Sequence, residues 1–232
     1  MGVKLGDEDR EPGPITTLDL IRNFDGYPDP TESKADAHVV GIKQALKYDN
    51  VTLKTHSTVE RLETDGRGRN VTGVVVKNGD GSEVVYSTDW VIVAAGAINS
   101  AALFLRSKND SHPNGLANSS GLVGRNYVEA HDRLTAKLKS LLSYIGCHER
   151  LIPVDYYLGT QFPFNLAHQM GTMKLGTDPR RSVLDTYCRP HDLENVFVSD
   201  GSFFVSSGAV NPTLTIIAQT LRVADFIKRQ VL

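Results

Sequence analysis

Cysteine is nearly absent from this chain. Its only two, Cys147 and Cys188, form neither a C-x-x-C pair nor a zinc-type spacing, which argues against a disulfide scaffold and predicts two free thiols. His148 beside Cys147 and His191 three residues after Cys188 have no second ligand pair at metal distance, so no metal is expected. Long apolar runs are missing as well. Stretches such as Trp90–Ala95 and Leu214–Ala218 fall far short of the roughly 20 residues that span a bilayer, so no membrane span is expected. Charge of one sign is nowhere concentrated: 25 Lys and Arg stand against 27 Asp and Glu, for a net charge of −2. Without a polybasic tract, nucleic acid and anionic lipid are not expected partners. The opening MGVKLGDEDREPGP has no apolar h-region, which together with the unpaired cysteines points the expected compartment toward the cytoplasm. There is no internal repeat and no low-complexity tract.

What is present suits a globular protein: 232 residues, 40% of them hydrophobic, enough for one large domain or two small ones. The first 37 residues, rich in Asp, Glu, Pro and Gly, read as an extended lead-in. Ala37–Leu46 reads as a short helix, and VTLKTHSTVERLET alternates apolar and polar residues as one or two strands do. Asn78-Gly79-Asp80-Gly81 between two β-branched runs predicts a hairpin that sets Val71–Lys77 beside Glu83–Ser87. WVIVAAG is all-apolar, the pattern of a fully buried parallel strand, and it empties at Gly96 into a helical pattern over Asn99–Arg106. SHPNGLANSSGLVGRNYVEAHD reads as loop, DRLTAKLKSLLSYIG as an amphipathic helix, and ERLIPVDYYLGTQFPFNL as an extended connection. The last 65 or so residues are the most organised: a turn at TDPRRSV, the strand NVFVSD, the loop GSFFVSSGAVNP, and a closing helix from Thr213 to about Arg229.

Three places carry possible chemistry. Ala94, Ala95 and Gly96 put only methyls and a bare backbone where a buried strand turns into a helix, so a flat ligand can lie close; a tight packing turn is the equal alternative. Asn211 suits a helix N-cap and Pro212 a first helical position. The turn they open, continuing through Thr213, presents backbone N–H groups and the positive end of the helix dipole, a field that every capped helix shares. Asp200-Gly201 ends a strand where α/β sheets tend to bind ligands, and its carboxylate could reach a ribitol or ribose hydroxyl or merely close a turn. Among the seven histidines, His168 in AHQMGTMKLGTDP is the acid–base candidate.

The segments WVIVAAGAINSAALFLRS, GLANSSGLVGRNY, HQMGTMKLGTDP and above all NVFVSDGSFFVSSGAVNPTLTIIAQTLRVADFI resemble the glucose–methanol–choline (GMC) oxidoreductases, most closely their bacterial dehydrogenase branch. The resemblance runs from about Ala35 to Ala130 and from His131 to the end. It implies an α/β, Rossmann-like FAD-binding fold in which residues 38–130 are part of the FAD domain. Residues 131–165 are then a remnant of a truncated substrate domain, and 166–232 complete the FAD domain and active site. It also implies FAD as cofactor, a small-molecule alcohol or sugar as substrate, and an electron acceptor for which oxygen, a quinone and a cytochrome are equally compatible. His168 matches the histidine that takes the hydroxyl proton as hydride leaves carbon for flavin N5, and Asn211 matches its His-or-Asn partner on the substrate hydroxyl. Asp200, Gly201, Pro212 and Thr213 fall on the flavin-facing stretch, and Val59, Ala94, Ala95 and Gly96 on the adenine-side contacts.

The pattern also breaks. The family opens with a strand, G-x-G-x-x-G and a helix whose amides hold the pyrophosphate, and no such motif occurs here. The long substrate-domain sheet expected between GRNYVEA and HDRLTAKLK is missing too. A fragment of a larger product, a damaged gene and a misread frame each account for this. Loss of the pyrophosphate loop predicts weak flavin retention, so the rival reading is a non-catalytic remnant that binds no FAD. A Ser-His-Asp hydrolase is disfavoured because GSFFVSSG lacks the G-x-S-x-G elbow.

Overall fold

The computed structural model describes residues 2–3, 32, 34–146, 168–206 and 211–230. It divides into two units, 1–55 and 56–232. In the first, β1 (Gly2–Val3) pairs antiparallel with β2 (Lys34–Ala35). The helix expected over 37–46 is a π-helical turn at His38–Ile42 running into α1 (Lys43–Ala45). The Asp36 carboxylate accepts the Val39 N–H at 2.8 Å and its carbonyl the Val40 N–H at 3.0 Å, so Asp36 caps the turn.

The second unit holds two sheets. β3 (Ser57–Thr64), β4 (Val71–Asn78) and β5 (Glu83–Ser87) form an antiparallel meander in that order. In β4 the residues Val71, Gly73 and Val75 alternate inward, the period-two pattern of a strand with one face on a core. The hairpin forms where Asn-Gly-Asp-Gly predicts it, with Val74 opposite Tyr86 and Val76 opposite Val84. Gly81 at φ 86° supplies the left-handed residue, its N–H bonding the Asn78 carbonyl at 2.9 Å.

The second sheet is a parallel pair, β6 (Val91–Val93) beside β7 (Val196–Val198). After β6 comes α2 (Ala97–Arg106), whose inner face Ala97, Ser100, Ala101 and Phe104 follows helical spacing into the core. The core gathers Leu62 and Val71 from the meander, Val93, Val196 and Val198 from the parallel pair, and Phe104, Leu116, Met173, Leu184 and Phe203 around them. Gly115 (φ 110°) lets the chain double back over α2, since a Cβ there would stand 2.9 Å from the Leu105 Cα.

Two expectations change. Helix α3 spans Arg125–Tyr144, so the tail of the segment read as loop is helical. Its loop character stops at Gly124 (φ 81°), whose N–H is held by the Thr172 carbonyl at 2.7 Å. Past it, Arg125–Asp132 has neither Gly nor Pro and joins the strong helix formers that follow. Strand β6 is parallel as expected but not fully buried, with Ile92 60% exposed. Its register partner Phe197 is covered by α4 (Thr213–Gln230), where Phe226 meets it edge-on at 6.3 Å between ring centroids. Among the described residues nothing covers Ile92 equally, and Leu214 (80%) and Leu221 (65%) lie exposed on α4. The extended connection expected over 149–166 and Cys147 fall outside the described residues.

The two sheets are joined by one buried side chain. Asn195 accepts the Val71 N–H at 2.8 Å and donates to the carbonyls of Val71 (2.7 Å) and Asp89 (2.8 Å). Truncation leaves three backbone groups without that partner. Asn195→Ala is therefore expected to lower stability by about 2–4 kcal/mol, read as a lower urea midpoint at constant m-value. Cys188 is free and buried, and burial pushes its thiol pKa up. With the thiolate disfavoured, it is expected to resist iodoacetamide at neutral pH in the native state and to react once urea unfolds the chain.

Candidate functional site

The parallel strands end side by side, β6 in Ala94–Gly96 and β7 in Ser199–Gly201. Carboxyl ends of parallel strands are where α/β folds present loops to ligands. Gly96 caps α2 at φ 85°, ψ 154°, a conformation open essentially only to glycine. A Cβ built there would meet no atom within 4 Å, and Ala94, Ala95 and Gly96 are all exposed. The bare backbone read from the sequence therefore faces open space.

Asp200 is 7% exposed, and its carboxylate turns inward. Oδ1 accepts from the Ser202 N–H (2.8 Å) and hydroxyl (2.5 Å); Oδ2 accepts from the Ser100 hydroxyl (2.5 Å) and the Gly96 N–H (3.1 Å). Four donors occupy the lone-pair sites of the two oxygens. The Asp200 carboxylate is therefore engaged inside the fold, and Gly201 and Ser202 beside it are buried as well.

Gly201 is required by close approach, since a Cβ would lie 2.8 Å from the Gln169 carbonyl oxygen. Its own carbonyl accepts the Gly171 N–H at 3.0 Å, and the Ser202 and Phe203 carbonyls accept from Met173 and Leu175 at 2.9 Å. The segment 171–175 is thus laid along the turn at Gly201–Phe203, with His168, exposed, three residues upstream. Thr172 fastens the same segment to α2, its hydroxyl donating to the Ala97 carbonyl at 2.6 Å.

Helix α4 opens beside this turn. The Ile216 Cδ1 comes within 3.8 Å of the Cβ position of Gly201, and the Ser199 and Thr220 hydroxyls meet at 2.7 Å. The first helical bond runs from Ile216 N–H to the carbonyl of Pro212 at 3.0 Å. Pro212 therefore caps the helix, one position earlier in the helix than its sequence suggests, and Thr213 begins it. The N–H groups of Thr213, Leu214 and Thr215 lie outside the helix's own ladder, at the positive end of its dipole. Pro212 is buried; Asn211 and Thr213 are exposed.

Ala94–Gly96, Asp200–Gly201, the 171–175 segment and the start of α4 thus meet at one end of the parallel pair, and His168 precedes that segment. Val59 lies in the other sheet, on β3 opposite Val76 and half-buried against the core. Two other histidines have structural partners: His112 Nε2 bonds the Gly68 carbonyl at 2.6 Å, and His191 Nε2 the Ser182 hydroxyl at 3.0 Å. Ser182 gives its proton to the Asp178 carbonyl at 2.7 Å, so this Ser–His contact is not an activated nucleophile. The sequence reading missed Ser100, Ser202 and Thr172. Ser100 had a signal, a polar residue on the apolar face that Ala97, Ala101 and Phe104 define; Ser202 and Thr172 sit in irregular segments with no periodicity to stand out from.

Gly201→Ala is expected to force its methyl against the Gln169 carbonyl and to lower stability by about 1–3 kcal/mol. In hydrogen exchange, the Gly171 and Met173 amides should lose protection while those of the β4–β5 hairpin keep theirs.

Two sequence models of GMC oxidoreductase, for the N- and C-terminal parts of the family, match residues 22–131 and 154–220. The 6'''-hydroxyparomomycin C oxidase of Streptomyces lividus is 24% identical over 302 residues, covering 85% of this chain and 55% of that enzyme. The 2-methyl-1,2-propanediol dehydrogenase of Mycolicibacterium austroafricanum is 44% identical over 63 residues, 27% of this chain and 11% of that one. Among solved structures, pyridoxine 4-oxidase from Mesorbium loti superposes with a TM-score of 0.58 at 16% identity, over 87% of this chain and 63% of that one. The chain thus spans about half the length of the first of these relatives and under two thirds of the solved structure.

Proposed function

This chain belongs to the GMC oxidoreductase family, and from that premise we propose that it is built for FAD-dependent oxidation of a CH–OH group in a small alcohol or sugar. The observation that carries the reading is the convergence of the open Gly96 backbone, the Gly201 turn and the first turn of α4 at one sheet end, with the segment that follows His168 bonded along that turn. The hydroxylated compounds in the relatives' names, a hydroxyparomomycin and a propanediol, agree with that substrate class.

The residues suit the flavin. Gly96 leaves the space a Cβ would fill, and the N–H groups of Thr213–Thr215 favour the negative charge that a reduced flavin carries near its pyrimidine ring. FAD, when bound, would supply the acceptor for a hydride from the substrate carbon. The chain's own residues do the rest. His168 takes the hydroxyl proton on an imidazole nitrogen, and the Asn211 side-chain amide holds the same hydroxyl. Gly201, Pro212 and Thr213 line the flavin side, Asp200 orders them from behind, and Val59 and Ala94–Gly96 flank the adenine side. In this reading residues 38–130 and 166–232 form one flavin domain, 131–165 belong to what remains of the substrate domain, and 1–37 lead in. The pyrophosphate grip that G-x-G-x-x-G supplies elsewhere has no counterpart in this sequence.

The test is the visible spectrum of the purified chain after incubation with FAD and removal of unbound cofactor. Retained bands at ~380 and ~450 nm support the reading; a colourless chain would leave family membership standing and remove the function. In material that retains FAD, His168→Ala is expected to cut turnover of alcohols or sugars by at least ~100-fold with flavin content unchanged.

A further inference from the structure

We propose that Ser100 is a positioning residue, a latch that orders the two cofactor-facing loops as one unit; its link to FAD rests on the function proposed above. Ser100 is fully buried on the inner face of α2, yet its hydroxyl serves the loop ends and not the hydrophobic core. It donates to Asp200 Oδ2 at 2.5 Å and accepts the Ala95 N–H at 3.2 Å. Asp200 Oδ2 also takes the Gly96 N–H at 3.1 Å, while Oδ1 takes both donors of Ser202. One hydroxyl and one carboxylate therefore tie two consecutive amides at the end of β6 to the turn that follows β7.

This arrangement sets what the β6 loop can recognise. The Ala95 and Gly96 N–H groups point inward, so the loop is not an anion cradle of the kind built from free amides. It presents the flat backbone of Gly96 and its neighbouring peptides, a surface for a ring or for ligand hydroxyl and amino groups. Without the Ser100 hydroxyl, the Ala95 N–H loses its acceptor and Asp200 loses one of four donors while remaining buried, which favours turning the loop or the carboxylate outward.

Ser107 provides an internal control. It too is fully buried, at the other end of α2, where its hydroxyl accepts the Leu62 N–H at 2.9 Å and donates to the Leu103 carbonyl at 2.7 Å. It serves structure alone, remote in the fold from the loop ends.

The experiment compares Ser100→Ala and Ser107→Ala in the full chain by two readouts, amide exchange without cofactor and FAD affinity by quenching of flavin fluorescence. Both variants are expected to lower Tm. Only Ser100→Ala should speed exchange of the Ala95, Gly96 and Ser202 amides by ~10-fold or more and weaken FAD binding by ~10-fold or more. Site amides that exchange in Ser100→Ala as they do in the parent overturn the latch. Equal FAD affinities in the two variants overturn the positioning role even where the amides loosen. Should the parent itself take up no FAD, the proposed function falls, and the exchange comparison still decides the latch.

Discussion

A buried carboxylate holds the working end of this molecule together. An uncompensated charge at the Asp200 position would be far too costly to bury, so the chain surrounds it with four donors drawn from α2, the end of β6 and the turn after β7. Each donor comes from a segment on which a loop of the candidate site depends. At the opposite end of the same strands, Asn195 performs the neutral equivalent, bonding Val71 as a neighbouring strand would. The parallel pair is only three residues long on each strand, too short to be rigid by its ladder alone. It is fastened at both ends by side chains.

That fastening explains how a small structure can still present an ordered surface. Gly96 takes a backbone conformation that other residues avoid, and Gly201 sits against the Gln169 carbonyl with no room for a methyl. Both are exacting geometries, and both are held by the Asp200 bonds or by the ladder from 171–175 to 201–203. The 171–175 segment and the first turn of α4 are set against this frame. The outer face is different. Ile92 is an exposed apolar side chain of a parallel strand, an element ordinarily covered on both faces, and Leu214 and Leu221 of α4 are exposed as well.

The sequence made the local elements legible wherever chemistry and period coincided. Asn78–Gly81 announced its hairpin, and the apolar run before Gly96 announced a parallel strand followed by a helix. The closing helix was visible from its Pro start and its apolar spacing. The extent of β6 burial was not legible, because periodicity reports what a strand prefers and says nothing of whether a neighbour is there to cover it. The early start of α3 was hidden by Gly and Asn just upstream. Of the site, the loop glycines and His168 could be singled out one at a time, whereas the inward turn of the Asp200 carboxylate depends on Ser100, a residue 100 positions away. Pairings at that distance leave no trace in local pattern.

The same separation bears on the order in which the molecule assembles. The meander β3–β4–β5 joins neighbours along the chain, so little loop-closure entropy opposes it and it can form early. The bond between Gly96 and Asp200 closes a loop of 104 residues, and the two halves of the site meet only when that loop is shut. Joining the halves of the candidate site therefore carries a loop-closure cost that the hairpin does not. A substitution far from any ligand, on either side of that long loop, would reach the site through the clock of folding before it reached it through space.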